Sequence, residues 1–343
     1  MNALKHLGAS SLAWCLFSAA ALAQTFETID PPNTVGTQPL GVHQGTVVGM
    51  YYDGITGRST GFSFSRSNGY QTFDAPNVDS SVGTYAVGSD DAGRISGWFV
   101  DASDFHVKSF VRARNGAMTV YEVPVQYIYD TYVFDMNSHG FVTGQYLPSS
   151  DNNSHGYVRN PGGVIQKIMI PGNEYVIPWA INDDGLVAGY FAEQFYTEFK
   201  GFLRTIGGQY TTFTAPPECG FGEGHPLEMN SQADLIGTCA NRASSFLRKH
   251  GGGFVIIDYP GAVETVAHGI AANGDISGYY TNPDFGVHGF IRHPNGSFES
   301  FDFPGAAPGT TEVSRMDDDG NIVGTYYDAN QVQRGFVRYA DCN

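Results

Sequence analysis

Hydrophobic and polar positions recur along this chain in a pattern of roughly 46 residues, and the most regular copy shows its parts. Thr265-Val-Ala-His-Gly-Ile leads through an Asn-Gly turn to Ile276-Ser-Gly-Tyr-Tyr. His288-Gly-Phe-Ile-Arg292 follows, and Asn295-Gly opens a last run that ends at Pro304. The glycine of the Ile-x-Gly step returns at Gly49, Gly97, Gly144, Gly189, Gly237, Gly278 and Gly324. An aromatic residue stands two positions later in every copy but one, where it is Cys239. The Gly-Phe-x-Arg step returns at Phe62, Phe110, Tyr157, Phe202, Phe246, Phe290 and Phe336. A proline closes the last run at Pro31, Pro76, Pro124, Pro171, Pro216, Pro260 and Pro304.

Each copy predicts four strands, A to D, joined by turns of Asn-Asp-x-Gly or Asn-Gly composition. Proline ends strand D because it has no N–H to give a ladder. One small sheet cannot bury both of its faces, and radial stacking of such sheets about an axis solves this. The prediction is an all-β, seven-bladed β-propeller of four-stranded antiparallel blades, with no helix in the mature chain. The chain begins with an orphan strand D, Phe26-Glu-Thr-Ile-Asp30, and finishes with an orphan A–B–C set from Thr311 to Tyr339. Pairing these closes the ring.

The pattern Gly-Ile-x-x-x-Gly-x-Ile-x-Gly-Tyr-Tyr, with His288-Gly289-Phe290 and Pro304-Gly305-Ala306, resembles the bacterial extracellular HAF repeats. The namesake alanine is here Gly289, and the histidine stands only at His155 and His288. The resemblance spans residues 25–340 and implies export and a repeat fold; it carries no catalytic residue.

Residues 1–23 read as a cleaved signal peptide: Lys5 and His6, an apolar run from Leu7 to Ala20, and Ala21-Leu22-Ala23 before the cut. The run is short for a membrane span. A single propeller domain, 24–343, secreted or periplasmic and expected to be monomeric, follows. Formal net charge is −16, with 44 Gly, 20 Tyr and 24 Phe. Such acidity makes nucleic acid and anionic lipid poor partners. Beyond the leader stand Cys219, Cys239 and Cys342; the first two fall in neighbouring loops and are expected to form a disulfide.

Departures from the repeat point to function. Four residues after the strand-A threonine stand Gly41, Gly88, Asp135, Ala180, Glu228, Gly269 and Arg315. The small residues are expected to leave room around the axis. The charged three are expected to meet in the channel, either as an ion cluster that plugs it or as a ligand or acid–base site. Trp179, His225, His268 and Glu312 are further strand-A departures. Aromatic loops at the D–A and B–C end form a candidate surface for glycan stacking: Phe105 with His106, Tyr127 with Tyr129, Phe195 with Tyr196, Phe221, and Phe285. The repeated strand-C arginines, such as Arg112 and Arg338, are expected to pair across strands with Asp30, Asp74, Asp258 and Asp302. Asp-rich turns such as Asp317-Asp318-Asp319-Gly320 suit turn chemistry better than calcium, and no cofactor is implied. The leading expectation is a non-catalytic binder of a polysaccharide or extracellular protein; the rival is a carbohydrate-active hydrolase or lyase using Asp135, Glu228 and Arg315.

Overall fold

The computed structural model describes residues 25–150, 153–173, 175–193, 198–219, 228–240 and 243–340. They form seven four-stranded antiparallel sheets, over 34–73, 84–121, 128–168, 175–213, 228–257, 264–301, and 312–339 with 25–29. Within each sheet the order is A-B-C-D, and the strands A of neighbouring blades contact one another all the way round. Strand A is therefore innermost. The ring closes as the sequence predicts: Thr25–Ile29 pairs antiparallel with Gln333–Tyr339, from Thr25↔Tyr339 to Ile29↔Gly335. Phe26 packs edge-on against Phe303, and Ile29 is fully buried. Tyr326 and Thr28 hydroxyls meet at 3.1 Å across the closing blade.

The repeat landmarks have specific physical jobs. Phe62, Phe110, Tyr157, Phe202, Phe246, Phe290 and Phe336 are each fully buried, one ring per blade. Each ring needs a bare backbone beside it. A β-carbon on Gly97 would lie 2.0 Å from the Tyr85 carbonyl oxygen and 2.6 Å from the Phe110 ring, and one on Gly278 would meet Val266 and Phe290 similarly. The strand-A threonine accepts a backbone N–H from the residue before the blade-ending proline: Ala75 to Thr84, 2.9 Å; Tyr259 to Thr265, 3.0 Å; Phe303 to Thr311, 3.0 Å. A buried hydroxyl is satisfied and one blade is tied to the next.

Two expectations need correction. The small residues of strand A do not leave room. A β-carbon on Gly41 would lie 2.2 Å from the carbonyl oxygen of Val87 in the next blade, and one on Gly269 would lie 2.5 Å from Met316 N. These glycines let adjacent strands A touch. Nor do the strand-C arginines pair with the strand-D aspartates. Arg112, Arg159, Arg248 and Arg338 lie over Phe73, Tyr121, Phe213 and Phe301 of the preceding blade, 4.6–5.0 Å from the ring centroids. They bind blade to blade through cation–π contact. The aspartates instead take the residue at or near the start of strand C: Asp30 with Arg334 at 2.7 Å, Asp302 with His288 at 2.9 Å, and Asp74 with Arg58.

Candidate functional site

Because A–B turns lie at one end of every blade and B–C loops at the other, the ring has a turn end and a loop end. The predicted residues divide between them. Strand A carries a bulge one residue before the variable position, between Pro39 and Gly41, Ala86 and Gly88, Val133 and Asp135, Pro178 and Ala180, Ala267 and Gly269, and Val313 and Arg315. Such a bulge re-aims the side chains around it. At the turn end Arg315 of blade seven reaches across the axis. Its Nη2 lies 2.9 Å from Asp135 Oδ1 of blade three and 2.5 Å from Glu228 Oε1 of blade five. Asp135 Oδ2 also accepts from Ile181 N at 2.8 Å. The three charges meet at this level and link blades three, five and seven.

Burial raises the Glu228 carboxyl to about 8; Arg315 opposes this and the Asp135 carboxylate adds to it. The two carboxylates in turn hold the Arg315 guanidinium above its ordinary value, against the opposing effect of its own burial. Outside the cluster lies a mouth of about 300 Å³, lined by further acids, among them Asp91, Asp183, Asp318 and Asp319. Neighbouring A–B turns stitch this mouth together. Asn137 Nδ2 donates to Asn182 O at 2.9 Å, Asn230 Nδ2 to Ala271 O at 3.0 Å, and Gly45 N to Asp317 Oδ2 at 3.3 Å. Asp317 Oδ1 accepts from Asn321 N within its own turn. Among the described residues no group of three or more His, Cys, Asp or Glu side chains is placed to hold a metal ion.

Trp179 and His268 occupy the bulge itself. Trp179 stacks on Phe134 at 4.2 Å, and His268 on Tyr279 at 5.5 Å. Trp179 extends an arc of rings that runs through Tyr85, Trp98, Tyr132 and Phe134 across blades two to four. Glu312 begins strand A of blade seven, and burial pushes its carboxyl up. His225, Phe195, Tyr196, Phe221 and Cys342 lie outside the described residues. Cys219 and Cys239 are joined in a disulfide with Cα atoms 4.6 Å apart, linking the loop before blade five to the residue just past strand B of that blade.

At the loop end, Phe105, Tyr127 and Phe285 are 71%, 73% and 81% exposed. Each has positive φ: 60°, 57° and 67°. In the B–C loop of blade one the corresponding left-handed position is Gly57, whose N–H closes onto Asp53 O as that of Phe105 closes onto Asp101 O. A residue with a β-carbon is strained there by about 1 kcal/mol or more. The Phe105 loop is held firmly nonetheless. Asp101 accepts from Ser103 Oγ at 2.6 Å and Asn77 Nδ2 at 2.6 Å, and Lys108 Nζ bridges Asp101 and Asp104 at 3.0 and 2.9 Å. The Ser103 hydroxyl is the largest cause holding the Asp101 carboxyl well below the usual range. Beside Phe105, His106 and Tyr129 meet edge to face at 5.4 Å. The positive-φ signal at Phe105 and Phe285 was beyond sequence reasoning, although both loops carry an Asp-Phe pair.

No protein-family model and no curated protein sequence matches the chain. Among solved structures it is similar to virginiamycin B lyase from Staphylococcus aureus, at TM-score 0.60 and 13% identity over 92% of this chain and 99% of that one. It is also similar to a streptogramin B lyase, at TM-score 0.57 and 13% identity, covering 92% of this chain and 98% of that one. The polysaccharide lyase Uly1 gives TM-score 0.56 and 11% identity, over 91% of this chain and 90% of that one. The chain is a β-propeller. At these identities the likeness extends to the fold alone, since one propeller hosts many chemistries.

Proposed function

We propose that the protein is an exported, non-catalytic binding propeller that meets a glycan through its loop end. The observation that supports this most is Phe105: a bare ring on a rigid loop, in a backbone slot where blade one carries glycine. A glycine would relieve the backbone strain there, and the ring, 71% exposed, returns little packing to the fold. Phe105, Tyr127 and Tyr129 present flat apolar faces beside His106, a chemistry suited to stacking on sugar rings. Export agrees with the leader-like residues 1–23 and with the resemblance to HAF repeats. The test is a pull-down of the mature protein on a panel of polysaccharides, with the supernatants assayed for released sugar. Retention without release, lost in Phe105→Gly and Tyr127→Ala, supports the reading; retention unchanged by both variants refutes it.

A second reading, a hydrolase or lyase working from the channel, draws support from the raised Glu228 carboxyl beside Asp135. Both carboxylates, however, are held by one arginine nitrogen. Released sugar that disappears in Glu228→Gln would favour this reading; undiminished release in that variant would remove it.

A further inference from the structure

Two seams of the ring open at the turn end into equivalent clefts, about 310 Å³ between blades one and two and about 230 Å³ between blades three and four. The repeat places matching residues at matching sites, so the two can be compared position by position. Where the second cleft has Phe141, Val158, Val164 and Ile206, the first has Thr46, Ser63, Gly69 and Arg114. All four apolar lining residues have been exchanged. Gln166 and Arg204 keep their types as Gln71 and Arg112 but not their bond. Arg204 Nη2 donates to Gln166 Oε1 at 3.0 Å, whereas Arg112 rests only on the Phe73 ring, 4.6 Å away.

Charge balance in the first cleft leaves one arginine over, with Arg94, Arg112 and Arg114 set against Asp90 and Asp91. Asp90 is held by Arg94 at 2.5 Å, and Asp91 by His43 at 2.8 Å and Gln44 at 3.0 Å. Among the described residues Arg112 and Arg114 have no acid partner. Ser89, buried in the cleft wall, has a hydroxyl with no hydrogen-bond partner. The seam does not need a second arginine for packing, since blade four fills that position with Ile206.

We propose that the cleft between blades one and two binds an acidic sugar. Arg112 and Arg114 receive its carboxylate or sulfate, as planar guanidinium forks do. Ser63 and Gln71 supply donors and acceptors for its hydroxyls. The volume lies at the small end of ligand pockets, suited to one or two sugar rings. The site is on the opposite end from the aromatic loops and stands independently of the function proposed for them.

Calorimetry on the mature protein tests this, with a glucuronate-containing disaccharide, a sulfated disaccharide, a neutral disaccharide and inorganic sulfate as titrants. At least one acidic disaccharide is expected to bind about tenfold or more tighter than the neutral one, a difference of roughly 1.4 kcal/mol. Which of the two binds better identifies the anion. Arg114→Ile, which restores the residue of blade four, is expected to abolish the preference with melting temperature unchanged, and Phe105→Gly is expected to keep it. Equal binding of the neutral disaccharide, no binding of any sugar, an unaffected Arg114→Ile protein, or inorganic sulfate binding as tightly as the sugars overturns the proposal.

Discussion

At the turn end, A–B turns of adjacent blades hydrogen-bond across every seam but that between blades four and five, among the described residues, and the Arg315 cluster links blades three, five and seven behind them. At the loop end, strained aromatic residues stand out into solvent on loops that are internally braced. One end spends its polar groups on holding blades together; the other holds rings out at a cost to the fold. Changes to the axial cluster and to the bonds between A–B turns should therefore be read as stability, and changes at the loop tips as binding.

The largest effect tests the scaffold common to both ends. Deleting residues 24–32 removes the five-residue pairing of Thr25–Ile29 and exposes the pockets of Phe26 and Ile29. Melting temperature is expected to fall by roughly 10 °C or more, or cooperative unfolding to disappear. A deletion protein with unchanged calorimetric melting would break the closure. Next comes the axis. Arg315→Ala leaves Asp135 and Glu228 facing each other without a cation, at a cost of about 3–5 kcal/mol. The triple change Asp135→Asn, Glu228→Gln, Arg315→Met removes the charges together and is expected to cost far less. Denaturant melts of the two proteins measure the difference; equal destabilisation would mean the cluster is exposed and screened.

A smaller effect follows from proton linkage. Burial holds Glu228 up at about 8, so between its ordinary range and that value the folded protein keeps a proton that the unfolded chain releases. Stability from this group is present below the unfolded pKa and is lost as pH rises toward 8. Burial also raises Asp317 and Asp318 at the same end, with the same sign. Melting temperature is expected to be a few degrees higher near pH 5 than near pH 8, and Glu228→Gln to flatten part of that slope. A wild-type protein that gains stability over this interval would contradict the direction.

The sequence made the architecture legible because each landmark has one packing job repeated round the ring: a bare glycine and a buried ring in all seven blades, and a strand-A threonine in five. The charge cluster was legible too, since Asp135, Glu228 and Arg315 depart from small residues at one aligned position. Spacing could not tell which end of the ring that position faces. Strand pairing also hid the fate of the strand-C arginines: Arg248 has Asp258 on strand D of its own repeat, yet it lies over Phe213 of the preceding blade. The backbone strain at Phe105 was unreadable for a related reason. Left-handed φ is announced by Gly57 in blade one, and a phenylalanine in the same slot gives no local signal.

That slot provides the smallest effect and the most direct comparison. Phe105→Gly removes the strain of a β-carbon at φ 60° and adds chain entropy to the unfolded state. These terms oppose each other, so stability is expected to rise or stay within about 1 kcal/mol. The ring contributes little to the core, being 71% exposed. If the loop end exists for contact, the same variant loses glycan retention while melting no lower than wild type. A variant that melts markedly lower and keeps full retention would place Phe105 with the packing residues, and the division between bonded turns and contacting loop tips would then fail at its best-defined residue.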